Sequence, residues 1–193
     1  MTNSDDTYAK KLEQALLLLR ENSWKKDEVE FETIGSCMEP VFSQGDFLVV
    51  RRVYSPKSLQ IGDILIYQVS AGFRAHRYLY TRRKKGEETL IIKSDNAVGP
   101  CAEEISFPQI FGKVVCIRRH DTCVRLDAFP GCTANVCIGF FVLTHLIAMR
   151  LARHAIIFKC RITGRTIIPG FWQIIAQPLV VTKKAIVKIF LKK

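Results

Sequence analysis

From Val29 onward apolar residues alternate with polar ones or gather in short β-rich runs, and this pattern constrains the fold more than any other feature of the chain. Residues 29–32 alternate strictly. The runs 47–53, 64–67, 73–81, 90–93 and 110–117 are rich in Val, Ile, Leu, Phe and Tyr, and Gly, Pro, Asn and charged residues separate them. Short strands at this spacing predict a small, mainly antiparallel β domain. The sequence TRRKKGEE at 81–88 predicts a hairpin with a charged, glycine-containing tip.

On either side of this region the pattern turns helical. Asn3, Ser4, Asp5 and Asp6 offer capping side chains ahead of residues 8–22, where Leu12, Leu16 and Leu19 fall on one helical face. The apolar run inside that segment is too short and too closely flanked by charge to span a bilayer. About 34 residues before the first turn motif also leave no room for a helix-turn-helix head. After the β region, residues 128–149 carry no Lys, Arg, Asp or Glu, and 133–149 predicts a continuous apolar helix of marginal spanning length. The expected organisation is an N-terminal amphipathic helix (1–27), a β domain (28–127), and an apolar, basic helical region (128–193).

Net charge is +11, which suggests nucleic acid until it is divided along the chain. All 18 acidic residues precede Arg150, so residues 1–149 net only +1, while 150–193 hold ten Lys and Arg and no acid. The basicity belongs to the tail, and no nucleic-acid partner is expected. Lys184, Lys188 and Lys192 recur every four residues opposite Ile186, Val187 and Phe190. Such a helix suits an anionic membrane surface, or else packs on the β domain with a solvated basic rim. The seven cysteines form no CxxC pair and no signal peptide is evident, which predicts mostly free thiols in a reducing compartment. Irregular spacing without nearby histidines argues against zinc, and no cofactor is called for.

Ile34-Gly35-Ser36-Cys37-Met38-Glu39-Pro40, followed by Gly45-Asp46, reads as a bend that presents one side chain, Cys37. Downstream lie Gln60-Ile61-Gly62-Asp63-Ile64-Leu65-Ile66-Tyr67, then Ala75-His76-Arg77, then Lys93-Ser94-Asp95-Asn96. In this order the motifs resemble those of the signal peptidase I and LexA-type peptidase clan, and most closely its histidine-type members of the endoplasmic reticulum and archaea. The resemblance covers about residues 31–115. It implies a signal-peptidase-like β domain in which Gly35, Met38 and Pro40 belong to the substrate-groove motif, Cys37 stands at the serine nucleophile position and His76 is the general base. Asp95 is the candidate orienting acid. Ser94 replaces a glycine, and where the family carries a further acidic pair this chain reads Ala97-Val98-Gly99-Pro100.

The chemistry is coherent without the family. A thiol ionises near pH 8.5, far more readily than a hydroxyl, so histidine assistance yields a nucleophile at neutral pH. His76 would accept the proton and return it to the leaving amine, with Asp95 fixing the imidazole tautomer. The backbone amide of Cys37 and the Ser36 side chain are the expected oxyanion donors. Asp46 and Asp63, each in a Gly-Asp turn, are expected to make structural hydrogen bonds. The expected activity is endoproteolysis of a leader or signal segment docked as an added strand, at the cytoplasmic membrane face or free in the cytoplasm. The alternatives are an inactive peptide-binding module and a membrane-surface interaction protein on the same scaffold.

Overall fold

The computed structural model describes residues 27–70, 72–84, 86–97, 99–163, 181–182 and 184–188. The expected helix over 8–22 and most of the tail lie outside them. Eight strands form one antiparallel sheet: β1 (Glu28–Glu32), β2 (Phe47–Arg51), β3 (Ile64–Val69), β4 (Gly72–Lys84), β5 (Glu87–Lys93), β6 (Glu103–Ser106), β7 (Ile110–Arg119) and β8 (Thr122–Arg125). Their order is β1-β2-β7-β3-β4-β5-β6, with β8 paired to β7. The mainly β reading holds, and six strands fall where the periodicity put them.

β3 explains why the sheet is buried on both sides. Ile64 and Ile66 enter one core cluster, with Met38, Phe42, Leu48 and Phe111, whereas Leu65 and Tyr67 enter another, with Leu90, Ile92 and Ile110. Successive strand residues point to opposite faces, so a run apolar at every position must be covered twice. A bulge between Tyr78 and Tyr80 breaks the β4–β5 register and lets Leu79 and Tyr80 both serve the first cluster.

The first cluster is closed by a helix, α1 (Gly131–Thr163), twice as long as the apolar run alone suggests. Ala134, Ile138, Val142, Leu146 and Met149 are buried at spacings of three and four, a stripe that faces the sheet. Contact is close at the turn before β3. A Cβ on Gly62 would lie 2.1 Å from the Asn135 carbonyl oxygen, and one on Gly139 would lie 2.6 Å from the Gly62 Cα. In the tail, Val187 is buried in the first cluster and Ile186 packs against it, while Lys184 and Lys188 are exposed. These described tail residues therefore pack against the first cluster.

Among the described cysteines, Cys37, Cys101, Cys132 and Cys137 are free, but Cys116 and Cys123 are joined as a disulfide. The expectation of free thiols fails at this pair. The β7–β8 hairpin pairs Arg118 with Cys123 and Cys116 with Arg125, which brings the two cysteines side by side on one face.

Candidate active site

The Cys37 loop is closed at its neck and clamped at its tip. Thr33 and Asp46 close the neck: Thr33 N and Oγ1 donate to the Asp46 carbonyl, each at 2.9 Å, and Gly45 N donates to Thr33 O at 2.9 Å. The Asp46 carboxylate accepts from Ser43 N at 2.9 Å and from Arg119 Nη2 at 2.6 Å. Asp63 accepts from Gln60 N at 2.9 Å and from Lys113 Nζ at 3.3 Å. Both Gly-Asp turns thus use their carboxylates as expected. At the tip, Asn96 N donates to Cys37 O at 2.9 Å, Asn96 Nδ2 donates to Ser36 O at 3.2 Å, and Ser94 Oγ donates to Cys37 O. The serine that stands in place of glycine thereby gains a positioning bond.

Arg77 and Asp95 tie this clamp to the strand that carries His76. Both side chains are fully buried, with Arg77 Nε 2.9 Å and Nη2 2.6 Å from the Asp95 carboxylate. Arg77 Nη1 also donates to Gly62 O at 2.6 Å and to Asn135 Oδ1 at 3.1 Å, linking the turn and α1 to the same guanidinium. Lys93 is buried beside them and donates to the carbonyls of Gly99 at 2.9 Å and Cys101 at 3.0 Å, which shapes the 94–101 loop. Burial pushes its ammonium below the ordinary lysine range.

The imidazole of His76 is buried and its Nδ1 lies 2.9 Å from the Tyr67 hydroxyl oxygen. That hydroxyl donates to Glu103 Oε2 at 2.6 Å, and Glu103 Oε1 is 3.5 Å from Nδ1. Tyr67 has one proton and gives it to the carboxylate, so Nδ1 carries the hydrogen and Nε2 is left basic. Here the geometry departs from the sequence reading. The acid beside Nδ1 is Glu103 on β6, whereas Asp95 holds Arg77. Glu103 lies outside the segment directly after Asn96, so the local motif does not reveal it. The pair Glu103-Glu104 stands beyond the intervening 97–102 segment, and β5–β6 pairing brings it back to the site.

Cys37 is half-buried, and its Sγ lies 3.5 Å from the carbonyl oxygen of Ala75, the residue before His76. No thiol–imidazole hydrogen bond is formed among the described residues; the thiol donates to Ala75 O. Burial pushes the Cys37 thiol up, against a lesser lowering by its own backbone N–H. Burial likewise pushes His76 down, against the raising effect of Glu103. Both shifts favour the uncharged forms of thiol and imidazole.

Beside Cys37 opens a cavity of about 220 Å³ whose walls include Phe31, Phe42, Leu48, Ile66 and Phe73, with Glu32, Ile34, Gly35 and Arg74 at its mouth. Gly35 borders this space, but its φ lies outside the left-handed region and a Cβ there would meet nothing within 4 Å. The bend therefore demands glycine neither for its backbone angles nor for room. Met38 is fully buried in the core and is not among the cavity walls, and Pro40 follows a cis peptide bond. Ser36 is exposed. No protein-family model and no curated protein matches this chain.

Proposed function

We propose that the protein is a cysteine endopeptidase of the signal-peptidase type, with Cys37 as nucleophile, His76 as general base and Glu103 as the acid that orients it through Tyr67. The observation that carries this reading is the convergence of Cys37, through Ala75, on the strand that holds the His76–Tyr67–Glu103 chain, at the wall of an apolar cavity.

An open stretch of sheet edge supports this reading. β4 pairs with β3 from Gly72 to Arg77 but with β5 only from Arg77 onward. The Ala75 carbonyl points from this open edge toward Cys37. An extended peptide docking along residues 73–75 adds a strand there, and its N–H groups find ready acceptors. Such a peptide gives Ala75 O a new donor and frees the Cys37 thiol, which must then reach around the open edge of β4, because Cys37 and Ala75 pack on the first cluster whereas His76 pairs with Leu65 on the face of the second. His76 Nε2 then takes the thiol proton as sulfur attacks the scissile carbonyl. The Cys37 N–H and the exposed Ser36 hydroxyl steady the oxyanion. Collapse expels the amine with the proton held by His76, leaving a thioester. Water, deprotonated by the same imidazole, hydrolyses it to the free acid and restores the thiol.

The same reading puts the enzyme at an anionic membrane surface. Residues Gly131–His154 of α1 are long and apolar enough to cross a bilayer by length and composition. One stripe of this helix is committed to the β domain, so it lies on a surface in preference to crossing one. Its outer face exposes Phe140, Ile147 and Leu151, with Arg150 and Arg153 alongside.

The resting bond from Cys37 to Ala75 O favours a second reading, a groove that binds peptides without turnover. Cleavage of a degenerate peptide mixture separates the two. Wild-type protein is expected to cut, and Cys37→Ala and His76→Ala to lose the activity. Activity should persist below pH 6.5, because the depressed imidazole pKa keeps the base neutral there. Glu103→Gln removes a group that raises that pKa, so it should lower the rate and move the acid limb to still lower pH. Binding without cleavage would leave the second reading in place, and cleavage by Cys37→Ala would remove the first.

A further inference from the structure

We propose that the cavity beside Cys37 selects a bulky apolar side chain, aromatic or leucine-sized, on the acyl side of the scissile bond, at the first or third residue before it. This specificity rests on the peptidase reading of the site. In an extended peptide those two residues point to the same face, so a strand laid along 73–75 presents one of them to the cavity. A closed cavity of about 150 Å³ lined by aliphatic and aromatic groups holds a benzene molecule. The space here, about 220 Å³, is larger. Ala75 accounts for part of that room, because the strand contributes only a methyl group where a larger residue would close the space.

The walls fit a ring as well as an aliphatic chain. Phe31, Phe73 and Phe111 pack edge to face, with centroids 5.0–5.5 Å apart, and the half-buried rings of Phe31 and Phe73 border the cavity. A fourth ring extends the cluster in the same geometry. Charged side chains find no such match. The charges at the mouth, Glu32 and Arg74, are of opposite sign, and Arg74 Nη1 lies 3.9 Å from Glu103. A charge carried into the apolar depth would lack a partner. Alanine would leave most of the space empty, and a buried leucine- or phenylalanine-sized group should bind roughly 10–100-fold better.

The test uses the full chain and short peptide aldehydes that carry Phe, Leu, Ala or Asp at the first or third position. Their protection of Cys37 from iodoacetamide is read by mass spectrometry of the labelled peptide. Phe and Leu aldehydes are expected to protect at roughly 10–100-fold lower concentration than Ala, with Asp weakest. Ala75→Ile, which fills the cavity with a strand-compatible side chain, should erase the advantage of Phe and Leu over Ala; its melting temperature controls for folding. Equal or better protection by Ala, or a preference unchanged in Ala75→Ile, overturns the specificity and leaves the peptidase reading standing. Failure of every aldehyde to protect Cys37, together with no cleavage of a peptide mixture, overturns both.

Discussion

Replacing Arg77 by methionine removes one buried guanidinium that the strand, the clamp and the helix all share. Both side chains of the Arg77–Asp95 pair are fully buried, and Arg77 also serves Gly62 O and Asn135 Oδ1. Methionine fills much of the volume and donates nothing. The Asp95 carboxylate is then left in surroundings built for an ion pair, and breaking a buried pair from one side costs about 3–5 kcal/mol. Loss of a donor at Gly62 O and Asn135 Oδ1 adds to this. For a chain of 193 residues, each kcal/mol moves the melting temperature by about 2–4 °C, so a fall of roughly 10 °C is expected. Thermal and urea unfolding followed by circular dichroism measure it. Iodoacetamide labelling of Cys37 reports on the site itself, since Ser94 and Asn96, which flank Asp95, hold the Cys37 carbonyl. The double variant Arg77→Met with Asp95→Leu removes both charges and should recover most of the loss. If the single variant melts within about 2 °C of wild type, or the double variant is no better than the single, an isolated buried charge is not what matters here.

Gly62→Ala combines a positive φ of 97° with a Cβ placed 2.1 Å from the Asn135 carbonyl, and should destabilise the protein by more than about 1 kcal/mol by pushing α1 off the turn; an unchanged urea midpoint would mean that the helix contact is soft. Intact protein should float with anionic vesicles more than with neutral ones, and Leu151→Glu on the outer face of α1 should weaken this at both low and high salt, whereas salt alone weakens only the contribution of the basic residues. Intact, folded protein that stays away from anionic vesicles would remove the membrane assignment.

The fold was legible wherever one local rule decided it. Alternation and apolar runs marked six strands, because each buries at least one face. β6 and β8 escaped because Glu103-Glu104-Ile105-Ser106 and Thr122-Cys123-Val124-Arg125 each span four residues and carry too little apolar pattern to register. α1 outran its expected bounds because a helix does not end where its charge-free stretch ends. Arg150 and Arg153 sit exposed on the same helix, so they mark the end of the apolar run and not of the hydrogen-bonded ladder. At the site, Cys37 and His76 were readable from their motifs. The burial of Arg77 was not, since its partners lie 18 and 58 residues away and only the sheet and α1 bring them together.

The exchange of roles between Asp95 and Glu103 follows from where charge can be offset. Asp95 is fully buried, and a carboxylate there needs a cation within hydrogen-bond reach; Arg77 supplies it with bonds of 2.6–3.1 Å. Asp95 is held by that guanidinium and raises the His76 pKa only through space, less than Glu103 does. Glu103 remains partly exposed on the short edge strand β6, where water bears some of its desolvation, and it reaches His76 both through Tyr67 and directly at 3.5 Å. In the proposed mechanism Glu103 favours the imidazolium at the moment the base takes the thiol proton. On that proposal the buried acid holds the scaffold together and the edge acid serves the chemistry.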